Sequence, residues 1–269
     1  MKTAFFQSFE DPSEREETPY RLSTVQEELT KNKLSGYVVP HSDVHQGEYI
    51  AACDERLAWL TGFTGSAGIC FVGKEKAGIF VDGRYGIQAK KQTKPPFEII
   101  HWNKQNILQW IKKNIMKGKI GFDPWLHSYT EIVTLRDAFA NSGISLIPSD
   151  NLIDRVWSDR PAKVSKQAIS YPVKLAGLSA KDKCRQIAKA LELKQADSAV
   201  ITLPDSIAWL LNLRGNDVIH NPIVHAFLII HSKGNIELFC NNNLIINSIS
   251  GLESFIKVFP LENFEMSLS

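Results

Sequence analysis

What most restricts the fold of this chain is that it repeats itself. Leu57-Ala58-Trp59-Leu60, with Gly62 close behind, recurs as Ile207-Ala208-Trp209-Leu210, with Gly215 behind, and Ala58 and Ala208 stand 150 residues apart. Each copy follows an amphipathic helix and a strand running into proline, Pro40 in the first and Pro204 in the second, and each precedes a hairpin pattern. Agreement of both spelling and element order predicts two copies of one fold in tandem. A chain of 269 residues is long enough for two such units at about 150 residues per domain. With 43% hydrophobic and 22% charged residues it has the composition of an ordinary globular protein with real cores.

The pattern of the first half alternates. Thr18 as N-cap and Pro19 behind it open a helix that carries Leu22, Val25 and Leu29 on one face. Strands are predicted at 37–39, 69–72 and 78–81, the last two joined through Lys74, Glu75 and Lys76 as an antiparallel hairpin. A helix after Tyr85, a strand at 97–101, a helix at 107–116 and a strand at 119–122 follow. Ser128 and Glu131 form a capping box for the next helix, which Gly143 stops before a strand at 144–147. Such alternation predicts an α/β fold, a mixed sheet flanked by helices. Apolar periodicity lapses from Asp159 to Leu178, so the first domain is expected at 1–158, a linker at 159–178 and the second domain at 179–269. In the latter, Ser179 caps a helix bearing Cys184, Ile187, Ala188 and Leu191, a strand runs over 199–203, Asp205 caps a short helix, and a hairpin spans 223–240. Fewer residues follow this hairpin than follow the first one. The second copy is therefore expected to be incomplete, short by about one helix and one or two strands, its tail offering one strand at 255–261.

Lys and Arg total 31 against 29 Asp and Glu, a net charge of +2, which supplies no field for nucleic acid or an anionic membrane. No apolar run approaches the ~18 residues of a membrane span. The expectation is a cytoplasmic protein with no nucleic-acid or membrane partner. Cys53, Cys70, Cys184 and Cys240 are far apart, with no Cys-x-x-Cys pair, and read as buried thiols.

Few residues look chemical. His41, Asp43 and His45 alternate, so on an extended segment they share a face that could seat one metal ion, but Pro40 ends the strand and a polar loop is the better account. Arg84, in Asp82-Gly83-Arg84-Tyr85, stands where a hairpin strand meets a helix, displayed either to bind a carboxylate or peptide carbonyls or to form a surface ion pair. The second copy has Asn241-Asn242-Asn243 at the corresponding place and no arginine. Gly62, Gly65 and Gly68 lack a P-loop lysine and dinucleotide spacing, and read as tight turns; Ser66 lacks the flanks of a nucleophile elbow.

Several separate segments carry a resemblance: His41-Ser42-Asp43-Val44-His45-Gln46-Gly47-Glu48-Tyr49-Ile50, Gly62-Phe63-Thr64-Gly65-Ser66-Ala67-Gly68, Asp82-Gly83-Arg84-Tyr85, Trp157-Ser158-Asp159-Arg160-Pro161 and 207–218 with Asn221-Pro222. In that order they resemble the three-domain, cytosolic type of Xaa-Pro aminopeptidase (aminopeptidase P), over residues 20 to 250. The resemblance implies two creatinase-type N-terminal domains ahead of a catalytic pita-bread domain that is absent here, together with its two manganese ions. It further implies a homodimer, proline-containing peptide substrates, no catalytic residue, metal ligand or cofactor on this chain, and substrate binding by Arg84. His41, Asp43 and His45 match no metal ligand of that family.

The leading expectation is thus a non-catalytic N-terminal portion of an Xaa-Pro aminopeptidase. A stand-alone peptide-binding or oligomerisation module is the alternative, and a small hydrolase built on His41, Asp43 and His45 stands last. Peptide hydrolysis needs an activated water and an electrophile, and the sequence offers neither.

Overall fold

The computed structural model describes residues 13–163, 167–240 and 254–268. It divides into two compact units, residues 1–44 with 52–161 and residues 45–51 with 162–269.

In the first unit six strands, β1 (Gly36–Pro40), β2 (Gly68–Gly73), β3 (Ala77–Val81), β4 (Phe97–His101), β5 (Gly118–Phe122) and β6 (Ile144–Pro148), form one sheet in the order β4-β3-β2-β1-β5-β6. β2 is antiparallel to both neighbours and every other pairing is parallel. The sheet is covered on both faces, which is why β1, β2 and β3 are buried at every position and show no polar alternation. Tyr37, Val39, Cys70, Val72 and Ile79 pack with α1 (Thr18–Lys31), α2 (Arg56–Thr61) and α6 (Leu152–Val156). Val38, Ile69, Phe71 and Phe80 point the other way, to α4 (Lys104–Asn114) and α5 (Tyr129–Ala138). Gly78 is needed on that second face, because a Cβ there would lie 2.7 Å from the Trp110 ring. The remaining helix, α3 (Gly86–Gln92), buries Ala89 against the first face.

The second unit reuses four of these strands. β8 (Ser198–Ile201), β10 (Phe227–His231), β11 (Ile236–Phe239) and β12 (Ile256–Phe259) lie in the order β12-β11-β10-β8, paired parallel, antiparallel and antiparallel in that order, as are β4-β3-β2-β1. α8 (Ala180–Leu193) and α9 (Pro204–Leu211) take the places of α1 and α2, and Cys184, Leu191, Ile207, Leu210 and Leu211 pack on Leu228, Ile230 and Leu238. A short helix, α10 (Phe264–Ser267), follows β12 and stacks Phe264 on Phe227 with centroids 4.4 Å apart. Among the described residues no counterpart of β5 or β6 stands beside β8.

Both helix pairs are joined by one device. Arg21 is the fourth residue of α1; it donates from Nη1 to the carbonyl of Trp59 at 2.9 Å, its guanidinium carbon 5.1 Å from the centre of that indole. Lys183 is the fourth residue of α8; its Nζ donates to the carbonyl of Trp209 and to Asn212 Oδ1, both at 2.6 Å, and lies 4.5 Å from the Trp209 ring centre. Each cation thus closes the carbonyl end of the next helix and covers its tryptophan. Burial, with Arg214 nearby, lowers the pKa of Lys183.

Some local expectations change. Glu17, not Thr18, precedes α1 at the cap position, and the Thr18 hydroxyl donates instead to the carbonyl of Arg15. Leu203 occupies the cap of α9 with Pro204 behind it, so Asp205 lies inside the helix. Ser128 and Ser179 do cap, accepting from the amides of Glu131 and Asp182. The structural partner of Gly62 is Asn212 rather than Gly215: both end their helices in the left-handed region, at φ 79° and 52°. The stretch 159–178, expected as a linker, holds β7 (Ile169–Ser170), hydrogen-bonded to β9 (Leu213–Arg214), and the one-turn helix α7 (Val173–Ala176). Elements of two and four residues are too short to leave a periodicity in the sequence.

Candidate functional site

Five strands of the first unit are parallel, so β1, β3, β4, β5 and β6 release their C-terminal residues at one end of the sheet, the end where open α/β sheets bind ligands. At that end β3 runs into a 3-10 turn, Gly83–Tyr85. Asp82 caps the turn, its Oδ1 accepting from the amide and from Nε of Arg84, both at 2.9 Å. These bonds from Arg84, amide first, hold the Asp82 carboxyl below the usual range. The arginine is fixed at its base while 75% of its side chain stays exposed, and its guanidinium carbon is 5.7 Å from the centre of the Tyr85 ring.

The base is rigid for local reasons. The Tyr85 hydroxyl pairs with Ser66 Oγ at 2.9 Å and its ring meets Phe63 edge-on at 5.5 Å. Gly65 leaves room for the rings of Phe63 and Tyr85, and Gln92 Oε1 accepts from the amide of Thr64. The glycine-rich segment is therefore a set of turns supporting Tyr85, and the Ser66 hydroxyl is engaged with a phenol. On the adjacent strand β4, His101 comes within 3.4 Å of where a Cβ of Gly83 would stand, and the amide of Trp102 donates to Val81 O at 2.9 Å. Asp82, Arg84, His101 and the exposed Trp102 thus form one corner. It offers a donor fork, an imidazole and an indole, which suits polar peptide groups.

His41, Asp43 and His45 do not assemble into a centre. The imidazole Nε2 of His41 is 3.7 Å from Glu55 Oε2, and Asp43 is buried in the first unit. His45 is grouped with the second unit, where Nδ1 donates to Thr202 O at 3.0 Å and the ring stacks on His225 with centroids 4.7 Å apart. Because a carbonyl only accepts, that bond places a proton on Nδ1. In the sequence His225 is one of several scattered histidines, and only the fold brings it to His45; Asp217 Oδ2 accepts from its amide at 2.9 Å. Among the described residues no three His, Cys, Asp or Glu side chains are placed to hold a metal ion, so the donor set does not fit a metal centre. The counterpart of the Arg84 turn in the second unit, Asn241 to Asn243, lies outside the described residues.

Trp157 and Arg160 have structural work. Arg160 donates from Nε to Cys53 O at 2.6 Å, and its Nη1 is 2.7 Å from Asp154 Oδ2. Arg56 grips the same aspartate through Nε and Nη2, at 2.6 and 3.0 Å, and Asp54 through Nη1 at 3.0 Å. Trp157 stacks on Trp59 at 5.4 Å. A small cleft of about 210 Å³ beside these indoles is lined by Glu14, Glu55 and Asp159, but Glu14 is already paired with Arg21 at 2.6 Å.

Residues 21–156 match the family described as Creatinase/Prolidase N-terminal domain, and residues 159–268 match a second family of the same description. The chain belongs to the creatinase/prolidase N-terminal domain family. Its α/β architecture, two creatinase-type domains with helix-flanked mixed sheets, is that of the solved X-prolyl aminopeptidase of Caenorhabditis elegans, described as a cytosolic enzyme with a di-nuclear active site. That similarity has a TM-score of 0.85 at 26% identity over 93% of this chain and 44% of the other. A probable Xaa-Pro aminopeptidase P of Coccidioides posadasii is 36% identical over 260 residues, which cover 94% of this chain and 40% of the relative. One of Paracoccidioides lutzii is 38% identical over 220 residues, 80% of this chain and 36% of the relative. The chain therefore spans about two-fifths of the length of the curated relatives it matches. No helix among the described residues is long and apolar enough to cross a membrane.

Proposed function

We propose that this chain is the N-terminal, non-catalytic portion of an Xaa-Pro aminopeptidase, cytoplasmic and homodimeric, whose whole form removes the N-terminal residue from peptides with proline in second place. The observation that carries the reading is that similarity to aminopeptidase P runs through 94% of the chain, across both units. The two manganese ions belong to the remainder of the enzyme. Within this portion the Arg84 corner is the substrate contact: Asp82 steadies the guanidinium base, and the exposed fork meets the carbonyls or carboxylate of the peptide.

The test is Arg84→Ala in a full-length form that includes the catalytic portion. Loss of one charged hydrogen-bonding partner is expected to lower kcat/KM on Xaa-Pro peptides about tenfold or more, with the melting temperature unchanged. Wild-type kinetics would return Arg84 to the surface, and a large fall in melting temperature would make it a structural ion-pair residue. The chain alone, given manganese and an Xaa-Pro peptide, is expected to release no more product than manganese without protein. Turnover abolished by His41→Ala or Asp43→Ala would overturn the non-catalytic assignment. Sedimentation at rising concentration tests the dimer.

A further inference from the structure

Two buried polar atoms of the first unit lack a hydrogen-bond partner among the described residues and belong to side chains that border one cleft. They are the Nε1–H of Trp59, a residue only 8% exposed, and Oε2 of Glu55. A buried donor or acceptor left unmade is costly, so native structures hold few of them. Both residues line the opening of about 210 Å³ beside Trp157, together with Asp159 and the segment Ser13-Glu14. The Trp59 ring is flanked by the Arg21 guanidinium carbon at 5.1 Å and by Trp157 at 5.4 Å, so what it turns to the cleft is an edge of the indole. Glu55 precedes α2 at the cap position but makes no side-chain cap bond, and the basic group facing it is His41 Nε2, at 3.7 Å from Oε2 and past hydrogen-bond reach.

Charge narrows what the cleft can take. Glu14 is offset by Arg21 at 2.6 Å, whereas Asp159 is exposed and has no ion-pair partner among the described residues. Carboxylates call for a cation, and an indole N–H calls for an oxygen acceptor. A bare metal ion is the wrong cation, because among the described residues no three His, Cys, Asp or Glu side chains are placed to hold one. An ammonium group needs only one or two such contacts. The acceptor that accompanies it has to be neutral, since a further carboxylate would be repelled by Glu55 and Asp159. The opening is smaller than the ~300–1,000 Å³ of sites for drug-sized molecules, so the ligand is small.

We propose that this cleft binds a primary ammonium carried next to a neutral carbonyl, the chemistry shared by an amino-acid amide and the free N-terminus of a peptide. The ammonium donates to Glu55 Oε2, with Asp159 adding negative charge, and the carbonyl accepts from Trp59 Nε1. The site uses none of the residues of the Arg84 corner and does not depend on the proposed peptidase activity.

The probe is glycinamide, titrated into the chain with its tryptophan indoles isotope-labelled while their N–H signals are followed by NMR; the signal of Trp59 is the one lost in Trp59→Phe. Expected is a saturable downfield shift of that signal. Dissociation constants should be about tenfold or more higher for glycine, which adds a carboxylate, for acetamide, which lacks the ammonium, and for ethylamine, which lacks the carbonyl. Glu55→Gln keeps the shape and removes the charge, and should weaken glycinamide binding about tenfold. Circular dichroism and the melting curve separate lost binding from lost folding, and should Glu55→Gln not fold, Asp159→Asn at its exposed position carries the same test with a loss of about threefold. Glycyl-glycinamide tells the two sources apart: affinity equal to or above that of glycinamide assigns the site to peptide N-termini, and affinity about tenfold lower assigns it to a single-residue amide. No saturation below about 100 mM glycinamide would overturn the proposal. So would wild-type affinity in a folded Glu55→Gln variant, or equal responses to glycinamide and to acetamide or ethylamine, which would leave the two atoms to hydration alone.

Discussion

Trp59 and Trp209 stand at the same turn of equivalent helices, each beneath a cation from the fourth residue of the preceding long helix, yet one is buried and the other half exposed. The local sequence does not explain the difference, because Leu57-Ala58-Trp59-Leu60 and Ile207-Ala208-Trp209-Leu210 are nearly synonymous. The cause is remote. Trp157 closes the first indole from nearly a hundred residues away, after β5, which seals the edge of β1, and β6, which pairs with β5. The same motif is therefore a core element in one unit and a surface element in the other, and its energetic weight depends on what the chain supplies later.

The sharpest way to break this comparison is to delete both rings. Trp59→Ala is expected to destabilise the first unit by about 3–5 kcal/mol, the cost of emptying a packed aromatic site. Trp209→Ala is expected to cost the second unit about 1 kcal/mol, mostly its contact with Lys183. Urea unfolding of each variant decides the matter, and equal losses would mean that exposure misreports the role of Trp209.

A smaller effect is expected from Asp154→Ala. It leaves the buried Arg56 with Asp54 as its remaining charged partner in the network, for about 2–3 kcal/mol once the partial exposure of Asp154 is allowed for. The unfolding transition of the first unit alone should move. A matching shift in the second would show that the two unfold as one.

The thiols report opening without mutation. Burial raises the pKa of Cys70 in the first unit and pushes Cys184 up to about 11 and Cys240 up to about 12 in the second. None should react quickly with a thiol reagent at pH 8, since each is protonated and covered. If the second unit opens first, Cys184 is expected to label about tenfold faster than Cys70, a difference of about 1.4 kcal/mol in opening. Simultaneous labelling would remove the distinction.

The smallest contrast lies within the second unit. Ser179→Ala is expected to cost about 1 kcal/mol because Ser179 caps α8. Asp205→Ala should stay within about 0.5 kcal/mol, because Asp205 lies past the cap of α9. Thermal melts of the two variants distinguish them, and equal shifts would restore Asp205 as a cap.

Much of the fold was legible because its signals are local. Ser128 and Ser179 announce their helices through short side chains that accept a backbone proton, and the paired hairpins follow from apolar runs broken by polar turns. The Arg84 turn was legible for the same reason, with Asp82 and Gly83 marking it. Its neighbours His101 and Trp102 were not, because they arrive on β4, and no local pattern states which strand lies beside β3. The shared cation device escaped notice because arginine in one copy is lysine in the other, and its acceptor is a backbone carbonyl that leaves no mark in the sequence. Asn212 went unmatched to Gly62 because asparagine tolerates the left-handed region that glycine is usually credited with. His45 and His225 meet across 180 residues of chain, beyond any window of periodicity.

The order of strands along the chain has a consequence for how the protein is made. β1 to β4 come from one uninterrupted stretch, Gly36 to His101, and contain every bonding partner of β2 and β3. A ribosome that has released the chain through His101 has therefore released a block whose internal pairings are already complete, while β1 still awaits β5 on its far side. The second unit presents that same four-strand block. Vectorial synthesis thus brings the nascent chain twice to one kind of halfway structure, and in the first unit the interval before β5 emerges is the time during which a sticky edge must be kept from neighbouring chains.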